Sequence, residues 1–383
     1  MNRVLFGLCL GLAACQEHLP SAPDDASAIT DAAPDTPDAA PGMPDAASSS
    51  GEARLAVLQL MERVADWQIH ALDGNNTSTW QEATFYTGLV ATYTTTGKLR
   101  FFEDLLDWSN ANGWMPRADR MHPDNQCAGQ SYVEIHLLDG VAAHLSGTRQ
   151  VMDQALAQHR RGRDLWWWCD ALFMAPTVLA RLGVATDDAT YFDDLNTKWW
   201  DVYDALYDPG ADLFSRDAGY LSAKCPNGSK MFWARGNAWV VAGTVRVLQY
   251  LPADYPDRSR YVELLRKMSA RLAGLQRPDG FWSSCLTDTA AYPEPETSGT
   301  SGFVYAMAWG VNQGLLDRDT YLPVIRKGWH ALVGAVDASG KLRWVQGVGS
   351  APATTTEMES QPYGVGLFLL AASEVAELAD DLE

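Results

Sequence analysis

An all-α fold, an (α/α)6 barrel of six helical hairpins, is predicted for residues 51–383, and three observations predict it. About twelve helical segments follow one another from Glu52 onward, separated by turn punctuation. They alternate between a one-sided and a nearly all-round apolar character. No strongly alternating β-run of useful length competes, apart from a short piece at Lys341–Val345. Alternating outer and inner helices are the signature of repeated helical hairpins. Six hairpins closed on themselves put the even-numbered helices inside.

The chain begins outside this domain. Met1-Asn2-Arg3, an apolar stretch from Val4 to Leu12, and Ala13-Ala14 before Cys15 read as a secretory signal. The apolar core is far shorter than the roughly 20 residues of a spanning helix. Leu12-Ala13-Ala14-Cys15 resembles a bacterial lipobox, so residues 1–15 are expected to be a lipoprotein signal with Cys15 as the lipidation site. That implies an exported protein held by an N-terminal lipid anchor on a bacterial membrane, on the periplasmic or cell-surface side. Residues 16–50 are mostly Ala, Pro, Asp and Ser, with no lysine or arginine. Such a stretch cannot bury enough apolar surface to offset its ordering entropy, so it reads as a disordered tether. Asp24, Asp25, Asp31, Asp35, Asp38 and Asp45 repel one another and extend it.

Within 51–383 the alternation can be followed in order. Ala171–Leu182 is apolar nearly all round, and Tyr191–Tyr203 is one-sided through Leu195, Trp199 and Val202. Trp239–Leu251 is again enclosed in character, whereas Asp257–Leu275 carries a stripe of Tyr261, Leu264, Leu265, Met268 and Leu272. Gly302–Leu316 is an inner segment, and Thr320–Val333 an outer one with Tyr321, Ile325 and Leu332. Pro323 fits there only if it falls in the first turn. Tyr363–Leu378 completes the series, mostly apolar at its start.

Charge and cysteines narrow the chemistry. With 48 acidic against 29 basic residues the net charge is −19, which excludes nucleic acid as a partner because that demands basic patches. Cys127, Cys169, Cys225 and Cys285 show no metal-ligand spacing, so no zinc site is expected. Export would permit oxidation, but pairing does not follow from spacing, and buried free thiols are the expectation. No metal or organic cofactor is implied.

The most unusual stretch is Trp166-Trp167-Trp168-Cys169-Asp170, opening an apolar run to Pro176. Indoles are large and their N–H needs a partner when buried, so a triplet suits the lip of a concave site. A carboxylate among them loses water, which raises its pKa and fits it to deliver a proton. Inner helices of such a barrel run parallel, so their N-termini meet at one mouth. Asp124 and Asn125 open the fourth helix, Asp170 the sixth, and Arg235, Gly236, Asn237 and Trp239 the eighth. Glu296–Gly299 open the tenth and Gln361–Gly364 the twelfth. Asp124, Asp170 and Ser298 are also good N-caps, and a helix start favours the ionised carboxylate while burial favours the protonated one. A proton donor at Asp170 therefore requires burial to win, or a like charge such as Asp124 nearby.

Four of these stretches resemble glycoside hydrolase family 105: WWWCDALFMAP at 166–176, FWARGNAWVVAG at 232–243, PETSGTSGFVYAMAWG at 295–310 and YGVGLFLLAASE at 363–374. These unsaturated rhamnogalacturonyl hydrolases share an (α/α)6 barrel with the unsaturated glucuronyl hydrolases of family 88. The resemblance implies an oligosaccharide substrate with a 4,5-unsaturated terminal uronic acid, the product of a pectate-type lyase. In that chemistry an aspartic acid protonates C4, water adds at C5, and the hemiketal collapses with ring opening. Attack at the anomeric carbon is bypassed, so carboxylate spacing does not set the stereochemistry. By the same resemblance Asp170 is the proton donor and water activator, and Asp124 the assisting aspartate. Arg235 and Trp239 hold the unsaturated sugar, with Asn237 between them. An arginine fork suits a uronate and an indole face suits a sugar ring. Trp168 is expected to wall the pocket, with Trp166 and Trp167 as packing.

The chain departs from the family pattern in two places. Asn125 stands where many members carry a second acid. Leu213–Asp217 has no histidine in the loop where some members place one, and Arg216 there reads as a solvated surface residue. The expected activity is hydrolysis of unsaturated galacturonyl-rhamnose fragments. Its rivals are an unsaturated glucuronyl hydrolase and a non-catalytic glycan-binding lipoprotein. A barrel-shaped epimerase would want histidine pairs at the mouth, where only His122 falls within these motifs.

Overall fold

A computed structural model describes residues 46–382 apart from Asp73, Asn75, Ala118, Arg120 and His159. The leader with Cys15, and the tether up to residue 45, lie outside the described residues. The first helix begins earlier than the expected boundary at 51: α1 spans Ala46–Ala71, taking in the five residues that composition assigned to the tether.

The described residues form fifteen α-helices, of which twelve positions build the barrel. Outer α1 is followed by inner α2 (Trp80–Thr96), outer α3 (Leu99–Ala111), and an inner position split into α4 (Pro123–Gln126) and α5 (Gly129–Asp139). Outer α6 (Ala142–Leu156) and a single turn, α7 (Gly162–Leu165), lead to a second split inner position, α8 (Ala171–Met174) and α9 (Pro176–Thr186). The rest alternate without breaks: α10 (Thr190–Leu206), α11 (Ala234–Leu248), α12 (Arg258–Ala273), α13 (Thr297–Asn312), α14 (Arg318–Ala335) and α15 (Pro362–Val375). The inner members pack in a closed ring, α2 on α5, α5 on α9, α8 and α9 on α11, α11 on α13, α13 on α15, and α15 back on α2.

Burial follows the predicted alternation. Every residue of α11 is buried, whereas α12 buries Tyr261, Leu264, Leu265, Met268 and Leu272 with Ser269 along one stripe. The ring closes on glycine. A Cβ placed on Gly88 of α2 would lie 2.5 Å from the Gly366 carbonyl oxygen, and one on Gly366 would lie 2.2 Å from the Thr84 oxygen. No side chain fits between these backbones, so their close approach requires glycine on both sides.

Several local expectations change. Ala171–Leu182 is not one helix. Proline has no N–H for the ladder and its ring crowds the preceding turn, so α8 stops and Pro176 starts α9. The inner position before it breaks at Cys127–Ala128, leaving Asp124 on its own single turn. Pro323 is the sixth residue of α14 rather than part of its first turn, because the helix begins at Arg318. Lys341–Val345 forms no strand, only an isolated bridge between Val336 and Leu342. The two-stranded hairpin among the described residues lies elsewhere, Tyr207–Asp208 (β1) antiparallel to Leu213–Phe214 (β2). Cys225 and Cys285 form a disulfide instead of standing as free thiols, whereas Cys127 and Cys169 are free and buried as expected.

Candidate active site

The two breaks place the two aspartates. Asp124 rides on α4 and Asp170 immediately precedes α8, and these single turns pack against each other. The Asp170 side chain makes no capping hydrogen bond, so the cap reading fails and its carboxyl is left for chemistry. One turn of helix sums few peptide dipoles, which weakens the pull toward the ionised form. Burial therefore wins at Asp170 and raises its pKa, against the opposing charges of Arg216 and Arg235 and a hydrogen bond from the Cys169 thiol. That thiol donates from Sγ to Oδ1 at 3.2 Å, and burial keeps it protonated by pushing its own pKa well up.

Asp124 is pushed up to about 7, chiefly by burial and then by the Asp170 charge, with Arg216 pulling the other way. It is no N-cap either: the His122 ring caps α4, its Nδ1 accepting the Asp124 amide at 3.3 Å. Burial lowers the His122 pKa, so this ring is neutral and adds no cation. Both carboxyls thus hold a proton more tightly than usual, Asp170 through burial and Asp124 through burial and the Asp170 charge, the reverse of the direction in which the sequence suggested the like charge would act.

The remaining expected residues take more varied places. Trp168 is buried, with its ring centroid 5.0 Å from His122 and its backbone bridged to Asp217. Trp166 is buried packing as expected, whereas Trp167 is 46% exposed and departs from the expected packing role. Trp239 is buried with its ring 4.9 Å from Phe173 and 6.3 Å from both Trp80 and Tyr363. Trp80 and Tyr363 stack at 4.8 Å, so the first turns of α2, α8, α11 and α15 contribute to one aromatic wall.

Asn237 does not face a ligand. Its Oδ1 accepts the Phe214 amide at 2.8 Å, and its Nδ2 donates to the Phe214 and Trp233 carbonyls at 3.1 and 3.0 Å. With both ends of the amide committed, it ties β2 to the start of α11. Arg235 is likewise occupied. Nη1 donates to the Gln346 carbonyl at 2.7 Å and the Tyr363 hydroxyl at 3.4 Å, and Nη2 to the Gly347 carbonyl at 3.1 Å. Its guanidinium, 4.4 Å from the Trp233 ring, braces the 346–347 segment instead of presenting a free fork. At the tenth helix start the cap is Glu296, not Ser298, because its longer side chain accepts both the Ser298 and Gly299 amides, at 2.9 and 2.7 Å.

Arg216 departs furthest from expectation. It is largely buried, its guanidinium 5.0 Å from the Trp167 ring and 6.0 Å from that of Trp168, with Nη1 donating to Asp217 at 2.5 Å. Its carbonyl accepts the Cys169 amide at 2.8 Å, which stitches this loop to the segment that delivers Asp170. Among the described residues, no cluster of three or more His, Cys, Asp or Glu could hold a metal ion.

Residues 55–379 match the model of Glycosyl Hydrolase Family 88. The chain belongs to that family. It is a glycoside hydrolase, related to the family 105 enzymes that its motifs resemble. An unsaturated 3S-rhamnoglycuronyl hydrolase of Formosa agariphila is 34% identical over 84% of this chain and 90% of its own length. A protein of the same name from an Alteromonas species is 32% identical over 98% of this chain and 97% of its own. Among solved structures, a family 88 hydrolase from Bacteroides vulgatus superposes with a TM-score of 0.80 at 30% identity, covering 85% of this chain and 99% of that one.

Proposed function

We propose that this enzyme hydrolyses unsaturated uronyl-rhamnose oligosaccharides of the kind that polysaccharide lyases leave behind. The observation that carries the reading is the pair of carboxyls, buried Asp170 and half-buried Asp124, whose proton affinities are both raised beside an aromatic wall. An enol ether needs a proton at carbon, and a carboxylic acid that holds its proton more tightly than usual is suited to give it. Asp170 donates this proton to C4. As a carboxylate it then takes the proton of the water that adds at C5. The C5 hemiketal opens to a ketone, which frees the ring oxygen at C1 as a hemiacetal hydroxyl, and the hemiacetal expels rhamnose. Asp124 is the second carboxyl of the pair, its own proton affinity raised by burial and by the Asp170 charge. Trp168 and Trp239 exclude water and wall the sugar site, and Phe173, fully buried against Trp239, backs that wall.

The linkage rests on the motif resemblance and on the names of the two relatives, which share the rhamnose and uronyl components. Galacturonyl is the favoured uronyl group, and glucuronyl is the alternative. Incubation with unsaturated galacturonyl-rhamnose, glucuronyl-rhamnose and glucuronyl-amino-sugar disaccharides, following the enol-ether ultraviolet absorbance, separates them. Loss with the first is expected. Loss only with a glucuronyl substrate replaces the uronyl assignment, and loss with none overturns the activity.

We further propose export and lipid anchoring through Cys15. The leader supports this, as does the Cys225–Cys285 disulfide, since such bonds persist in oxidising compartments. Among the described residues no helix is long and apolar enough to cross a membrane. Membrane fractionation of wild type and Cys15→Ser is the check: the variant is expected in the soluble fraction, and an unchanged distribution refutes the anchor.

A further inference from the structure

An unsaturated uronate carries a carboxylate on C5, next to the double bond that must meet Asp170. The cation that recognises this group therefore has to stand close to Asp170 and have donors to spare. Arg235 meets the second condition poorly, since it is 1% exposed and gives three of its N–H groups to protein acceptors. Arg246 and Arg181 are consumed deeper in the barrel by Glu134, at 3.0 and 2.7 Å. His122 is neutral.

Arg216 meets both conditions. Its charge acts on Asp170 and on Asp124, which places it at the pair. Among the described residues its only hydrogen-bond partner is Asp217 at Nη1, and its side chain keeps 16% exposure, which leaves Nη2 to donate to a ligand. The loop has little freedom to move the group away. The Arg216 carbonyl is bonded to the Cys169 amide, Trp168 is bridged to Asp217, and the Asp217 carboxylate also accepts the Gly219 amide at 2.7 Å. The indoles of Trp167 and Trp168 support the planar guanidinium from beside, as aromatic faces do for arginine.

We infer that Arg216 is the specificity-determining residue that binds the uronate carboxylate of the substrate, presented on the shelf of Trp167 and Trp168 beside Asp170. This deepens the proposed function and rests on it. The guanidinium donates from Nη2 to the substrate carboxylate, while Asp217 holds Nη1. Pairing with the substrate also spends the positive charge that favours ionised Asp170, so the acid retains its proton best when the substrate is bound.

The test compares the unsaturated galacturonyl-rhamnose disaccharide with its methyl ester, in which the carboxylate charge is gone. Turnover is followed by ultraviolet absorbance, and binding by calorimetry to Asp170→Asn protein with and without a change at position 216. Wild type is expected to prefer the acid over the ester by roughly 10- to 100-fold, the worth of a charge-assisted pair. Arg216→Gln is expected to lose that preference, through a KM that rises for the acid more than for the ester. Arg216→Lys, which keeps the charge but not the fork, should recover part of it. An acid-to-ester ratio in Arg216→Gln equal to that of wild type overturns the inference while leaving the activity standing. Absence of turnover by wild type overturns the activity itself, and the calorimetric ratio then decides the role of Arg216 separately. No binding of either compound overturns both.

Discussion

Replacing Asp124 by asparagine should stabilise the protein, and by an amount that depends on pH. The carboxyl has an ordinary pKa of 3.8 and is pushed up to about 7 in the fold, by burial and by Asp170. Below pH 4 it is protonated in the folded and unfolded states alike, and its burial carries no ionisation penalty. Between pH 4 and 7 the unfolded chain ionises while the fold does not, so stability falls as pH rises. Above pH 7 the loss is complete. At 1.36 kcal/mol per pH unit, the interval from 3.8 to about 7 amounts to about 4 kcal/mol. Asparagine has the same shape and no charge to suppress. Urea unfolding of wild type and Asp124→Asn, followed by helical circular dichroism at pH 4, 5.5 and 8, measures this directly. The variant's advantage should be near zero at pH 4 and grow to a plateau of 2–4 kcal/mol above pH 7 (about that order). An advantage that does not change across this range would refute the claim that Asp124 is held protonated by the fold.

Other consequences can be measured independently. Asp170→Asn should reduce turnover by at least about 100-fold, the usual worth of a positioned general acid, while leaving the circular dichroism intact; full activity would remove it from the chemistry. Reducing the Cys225–Cys285 bond opens a loop spanning 60 residues, and loop entropy puts its loss at about 4 kcal/mol, read as a lower Tm in the presence of a phosphine reductant. An unchanged Tm would count against the bridge. Gly366→Ala should cost about 1–3 kcal/mol or more through overpacking, because its methyl group meets the Thr84 carbonyl; the same Tm measurement tests it. Trp239→Ala should destabilise by roughly 3–5 kcal/mol as a buried aromatic truncation, so Trp239→Phe is the variant in which a change in KM reads substrate contact.

The alternation of helices was legible because it records a physical division that every residue experiences. Inner helices such as α11 meet protein on all sides, and outer ones such as α12 meet water on one. Asp170 was legible for a related reason, since a carboxylate beside three tryptophans has few ordinary explanations, and Asp124 through its place at another inner helix start. What escaped were features set by tertiary contacts. Pro176 was visible, but the apolar run through it concealed that the helix would restart there. Arg216 has no local signal distinguishing it from a solvated arginine, because its indole shelf and its stitch to Cys169 come from another hairpin. Arg235 and Asn237 carried the right motif, yet their hydrogen-bonding groups are claimed by Gln346, Gly347 and Phe214, all remote in sequence. Trp80 and Tyr363 could have been found by asking which aromatic residues open inner helices. The pairing of Cys225 with Cys285 had no sequence signal at all.

The glycine seam between Gly88 and Gly366 bears on the order in which the enzyme becomes competent. It joins the first inner helix to the last, so the chain is an open arc until its final hairpin has been delivered. That hairpin brings Tyr363, which stacks on Trp80 and accepts from Arg235, in the same step that shuts the ring. A partly emerged chain therefore carries both aspartates but no finished wall around them. Closure of the barrel and completion of the aromatic wall are one event, set by the docking of α15 on α2.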